Sequence, residues 1–67
     1  MTLVIETEQE EDGRWIADIP ELPGVMVYGQ TRTEAIQKVQ ALALRVVADR
    51  LENSESSDLV NVIFDAA

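Results

Sequence analysis

Residues 11–35 read Glu11-Asp12-Gly13-Arg14-Trp15-Ile16-Ala17-Asp18-Ile19-Pro20-Glu21-Leu22-Pro23-Gly24-Val25-Met26-Val27-Tyr28-Gly29-Gln30-Thr31-Arg32-Thr33-Glu34-Ala35. Asp12-Gly13 tolerates the positive φ that a tight hairpin demands. The β-prone segments on either side, Thr2 to Glu8 and Arg14 to Ile19, are therefore expected to pair as strands. Alternation lets Leu3 and Ile5 share one face with Trp15, Ala17 and Ile19. Pro20-Glu21-Leu22-Pro23-Gly24 reads as a rigid connector, because two prolines fix φ and remove donors. It is expected to pin a crossover between non-sequential sheet positions. Val25 to Tyr28 is a short third strand ended by Gly29. Gly24 and Gly29 are expected to hold special backbone angles or to allow close backbone approach.

Thr31-Arg32-Thr33-Glu34 fits a capping box, in which the Thr31 hydroxyl accepts from the Glu34 N–H and the Glu34 carboxylate reaches back. The spacing predicts a helix from about residue 32 to 52, with no Gly or Pro inside. Ala35, Ile36, Val39, Leu42, Ala43 and Val46 form one stripe. Glu34, Lys38, Arg45, Asp49 and Glu52 gather on the other side, with Glu34–Lys38 and Arg45–Asp49 as i,i+4 pairs. Residues 53–58 read as a solvated connection, and Leu59 to Phe64 as a last strand. The expected fold is α+β: βββαβ, one mostly antiparallel sheet with a single helix on one face, in one domain over residues 1–67. Trp15, Ile36, Val39 and Val46 are expected to be buried.

Composition narrows the function classes. The chain has 67 residues, 46% hydrophobic, with no Cys and no His. That leaves no disulfide, thiolate or imidazole chemistry and nearly no zinc site. A domain this small is marginal alone, so a partner subunit is the expected support. Five basic residues against 13 acidic give a net charge of −8. Such a chain is repelled by phosphate backbones and anionic membranes, and it attracts a basic protein. There is no basic leader followed by an apolar run, so a cytoplasmic protein is expected.

The pattern Glu11-Asp12-Gly13-x-Trp15-x-Ala17-x-x-Pro20-Glu21-Leu22-Pro23-Gly24, followed by Gly29-x-Thr31-x-x-Glu34-Ala35, closely resembles the HicB-like antitoxin domain. The similarity covers about residues 3–52. It implies a βββαβ fold derived from a ribonuclease H-like core without nuclease activity. It also implies pairing with a small basic RNA-cleaving toxin of the HicA type. The motif residues Gly13, Trp15, Pro20, Pro23, Gly24, Gly29, Thr31 and Glu34 have structural roles, and none is expected to be catalytic. Typical two-part members carry a C-terminal helix-turn-helix or ribbon-helix-helix segment. The sequence stops at Ala67, so operator binding is not carried over.

A residual metal-dependent nuclease would need several carboxylates converging on divalent ions. Glu6, Glu8, Asp18, Glu34, Asp49 and Asp65 supply the number, but Glu34 and Asp49 sit on the solvated helix face and Glu6 and Glu8 on an outer strand face. The Glu8–Asp12 cluster lacks the alternating ligands of a calcium loop. A non-enzymatic binding protein without cofactor or metal is the expectation. The alternative to an antitoxin is a stand-alone homo-oligomeric interaction or ligand-binding module. Two surfaces are candidates for self-association. One is the helix flank of Leu44, Val47 and Leu51, with Ala41 and Ala48. The other is a second apolar sheet face formed by Val4, Ile16, Val60, Val62 and Phe64.

Overall fold

The hairpin at Asp12-Gly13 forms. In the computed structural model, which describes residues 1–53 and 61–67, the Glu10 N–H donates to the Arg14 carbonyl at 2.7 Å and the Gly13 N–H to the Glu10 carbonyl at 3.0 Å. Gly13 takes φ 93°, the left-handed residue that closes a short hairpin loop. The turn joins β1 (Thr2–Gln9) to β2 (Trp15–Asp18) in antiparallel register, with Glu6 opposite Asp18 and Glu8 opposite Ile16.

The proline connector is a turn between neighbouring strands, not a crossover. β3 (Met26–Gly29) lies antiparallel beside β2, with Ile16 opposite Tyr28 and Asp18 opposite Met26. Three backbone bonds explain why. The Leu22 N–H donates to Ile19 at 2.9 Å, the Val25 N–H to Leu22 at 3.0 Å, and the Ile19 N–H to Val25 at 3.1 Å. Each proline opens one tight turn, and Gly24 at φ 83° completes the second. The double turn drives Leu22 into the core at 3% exposure and leaves Pro20 and Pro23 outside.

The crossover comes one element later. The helix α1 (Arg32–Glu52) carries the chain from β3 at one edge of the sheet to β4 (Ile63–Ala66) at the other. The four-stranded order is β3-β2-β1-β4, and β4 runs parallel to β1. The last strand is thus displaced from the expected 59–64. Asn61 and Val62 precede it, and residues 59 and 60 lie outside the described residues, as does most of the polar connection. The partner backbone sets the extent of β4: the Ile63 N–H donates to Met1 and the Ala67 N–H to Ile5, at 2.9 and 3.1 Å. Hydropathy alone would have ended the strand at Phe64.

Capping follows the sequence. The Thr31 hydroxyl accepts from the Glu34 N–H at 3.0 Å, and Glu34 Oε1 accepts from the Gln30 N–H at 3.0 Å. At the far end, Asn53 returns its backbone and side-chain N–H groups to the Asp49 carbonyl. Of the two expected helix ion pairs, Lys38–Glu34 forms at 3.2 Å; among the described residues Arg45–Asp49 does not.

The core lies between the helix and one sheet face. Leu3, Ile5, Ala17, Ile19, Leu22 and Val25 meet Ala35, Val39 and Ala43. The buried helix row is Ala35, Val39, Ala43 and Val47, an i,i+4 row slightly rotated from the expected stripe. Ile36 and Val46 are therefore only half-buried, at its flanks. Trp15 is also half-buried. It stands opposite Gly29 where the helix begins and packs against the core without being enclosed by it. Gly29 explains the rotation: a Cβ there would sit 2.5 Å from the Ala35 nitrogen and 2.9 Å from its Cα. The bare glycine lets the first helical turn rest on β3, which centres the contact on Ala35. Among the described residues no helix is long and apolar enough to cross a membrane.

Two substitutions test this account. Gly29→Ala pushes the helix start off the sheet and is expected to cost about 1–3 kcal/mol in urea unfolding. Thr31→Ala removes the cap and is expected to cost about 1 kcal/mol. That corresponds to a fall in Tm of roughly 4–8 °C for a domain of this size.

Candidate partner-binding surface

One helix covers one face of the sheet. The other face is fixed by strand alternation, since residues paired across strands share a side. Leu3, Ile5 and Ala17 are buried against the helix, so Val4, Glu6, Glu8, Ile16 and Asp18 point away from it. The same register adds Met26 and Tyr28 from β3 and Ile63 and Asp65 from β4. Met26 and Ile63 are both 54% exposed and Tyr28 is 43% exposed, while Val4 and Ile16 are half-buried by their neighbours. A shallow depression of about 460 Å³ lies over the middle of this face, lined in part by Glu6, Glu8, Ile16, Asp18 and Met26.

The chemistry of the face is one-sided. Among the described residues Glu6, Glu8, Asp18 and Asp65 are its ionic groups, and none of β1 to β4 contains a Lys or Arg. Glu6 stands directly opposite Asp18, an arrangement of like charges that disfavours the sheet. One cation near this face, Arg14, is already engaged. Arg14 lies 4.5 Å from the centre of the Tyr28 ring, and its Nε donates to Asp12 at 2.8 Å. The Asp12 carboxylate also accepts from the Arg14 backbone N–H at 3.0 Å. These bonds, the backbone one first, hold its carboxyl below the usual aspartate range. Glu34 is held low too, chiefly by the Gln30 N–H and then by Lys38.

The structure sorts the residues proposed for contact. Val4 and Ile16 belong to the outer face as expected. Phe64 does not: it pairs with Leu3 and packs with Val62 against the core, on the helix side. Leu59–Phe64 is apolar at nearly every position, so alternation fixed no phase there; the parallel pairing with β1 does. Ile63 takes the outward place instead. Val60 lies outside the described residues. On the helix, Leu44 and Leu51 are exposed at 50% and 41%, with Ala41 and Ala48 beside them, but Val47 is 7% exposed and belongs to the core.

Sequence reading missed Met26 and Tyr28, whose signal was the alternation of Val25 and Val27 inward. It also missed Arg32, which donates to the Thr7 hydroxyl and the Ala67 carbonyl, each at 3.2 Å, and so clasps the helix start to β1 and the end of β4. Among the described residues no three carboxylates gather as a metal ion would require. Glu34 lies on the helix, on the opposite side of the sheet from Glu6, Glu8 and Asp18. No family model matches the chain, and neither a curated protein nor a solved structure matches it.

The lowered carboxyl groups set a pH dependence. A depressed folded value means that stabilisation is complete above the unfolded pKa and is lost as pH falls through the folded one. Hydrogen-exchange protection at the Gln30 amide is expected to drop on acidification through that range. In an NMR titration, Arg14→Ala is expected to raise the Asp12 midpoint only part of the way to the usual aspartate value, because the backbone donor remains.

Proposed function

We propose that this chain is an antitoxin of the HicB-like kind, a cytoplasmic protein-binding subunit that neutralises a small basic RNA-cleaving toxin of the HicA type. The observation that carries the reading is the open sheet face, where Glu6, Glu8, Asp18 and Asp65 surround Val4, Ile16, Met26 and Ile63 with no cation on the strands. A cationic protein surface laid across it relieves the Glu6–Asp18 opposition and covers the apolar groups in the same contact. The charges set encounter rate and specificity, and the apolar groups set retention. A ribonuclease binds phosphate through basic residues, so an acidic cover competes for the surface its substrate needs. The role is binding rather than catalysis, with no cofactor and no affinity for DNA or RNA. A stand-alone oligomeric module is the second reading, favoured by the exposed Leu44 and Leu51 on the helix.

The test uses the product of an adjacent basic reading frame. Stoichiometric binding with suppression of its RNA cleavage is expected. Association should slow at least tenfold between ~50 and ~500 mM salt, as steering is screened. Glu6→Lys with Asp18→Lys should lower the association rate by a similar factor while leaving the circular dichroism spectrum unchanged. Absence of binding overturns the antitoxin assignment. Binding that ignores both salt and the charge reversal overturns the choice of face.

A further inference from the structure

We infer that a second copy of this chain docks on the outward face of the helix, in an antiparallel pair about a two-fold axis. The stripe is Ala41, Leu44, Ala48 and Leu51, all exposed. Its 3-4-3 spacing is that of a helix-pairing seam. At about 100° per residue it is centred roughly 140° from the buried row, so the sheet cannot cover it. Gln37 and Thr33 continue the stripe toward the N-terminus without a charge.

Three observations choose the occupant. First, the stripe is self-complementary. In an antiparallel pair Ala41 meets Leu51 and Leu44 meets Ala48, so each large side chain faces a small one and the helices approach closely. A parallel pair would stack leucine on leucine and leave gaps at the alanines. Second, the flanking charges match. Lys38 and Glu52 lie on the same flank at opposite ends, so each faces the other type on the second copy. Third, the rival surface excludes self-pairing. Two copies meeting by their sheets would bring Glu6, Glu8, Asp18 and Asp65 of each against the same carboxylates. The helix pair is an isologous contact that closes at two copies. The seam's four side chains are far fewer than the ~20–30 residues a side of a standard stable interface, so a dissociation constant in the ~1–100 µM range is expected.

Sedimentation of the full chain across ~1–500 µM tests this. A concentration-dependent dimer is expected, and Leu44→Glu should raise the dissociation constant at least tenfold with an unchanged circular dichroism spectrum, because Leu44 is half exposed. Leu51→Glu is the second variant should Leu44→Glu misfold. Ile16→Glu on the sheet should leave the dimer intact. The chain lacks cysteine, so orientation is read by cross-linking. Ala41→Cys mixed with Leu51→Cys should oxidise to a heterodimer, and Leu51→Cys alone should not. A monomer throughout, a dimer indifferent to both helix variants, one lost in Ile16→Glu, or efficient cross-linking of Leu51→Cys alone each overturns the proposal.

Discussion

The contact of Ala35 with the bare backbone of Gly29 positions the rest. It brings the first helical turn down onto β3, and the i,i+4 row from Ala35 through Val39 and Ala43 to Val47 follows from that anchor. Small residues at Ala35 and Ala43, both fully buried, keep the helix close enough for Ile5 and Ile19 to fill the space beneath it. Thr31 and Glu34 fix where the helix begins, and Arg32 ties that point to β1 and the end of β4. One local approach therefore sets the rotation of the helix. The rotation decides which apolar residues are covered and which are left over.

What is left over is not alike on the two sides. The sheet's outer face mixes apolar groups with unopposed carboxylates. The helix's outer stripe is uncharged and alternates leucine with alanine. A surface of the first kind repels itself and attracts cations. The second kind has nothing to repel a copy of itself and a shape that fits one. The electrostatic difference, more than apolar area, separates a hetero-partner face from a self-pairing one.

Much of the fold was legible because several local signals agreed. Asp12-Gly13, the capping box and the uninterrupted 3.6-period pattern each gave a boundary that the structure keeps almost to the residue. The errors fall where local pattern leaves a choice. Pro20 to Gly24 announces a stiff link, yet rigidity alone does not say whether two strands end up as neighbours; hydrogen bonds between Ile19 and Val25 decide it. Leu59 to Phe64 is apolar at alternate and intervening positions alike, so the phase and extent of Ile63–Ala66 come from β1, some 60 residues earlier in the chain. Periodicity alone puts Val47 on the exposed flank, because the turn of the helix on the sheet depends on Gly29 and that contact has no signature in periodicity. The outer acidic face was legible only in part. Glu6 and Glu8 show in the alternation of β1, whereas Met26, Tyr28 and Ile63 needed the register.

The two proposed surfaces are compatible in one assembly, and the layer order shows why. In each copy the helix stands between its own sheet and the second copy's helix, giving sheet, helix, helix, sheet. The acidic faces then point away from one another on the two outer sides. Their mutual repulsion is weakened by the thickness of two helical layers, roughly 20 Å at 8–10 Å per contact, which exceeds the Debye length of about 8 Å at physiological salt. Each face stays open to a cationic partner. Partner binding and helix pairing therefore proceed together without sharing a residue or opposing each other. A small core with, among the described residues, no fully buried side chain larger than isoleucine gains from both contacts. Ligand-linked stabilisation of this kind grows with the logarithm of partner concentration.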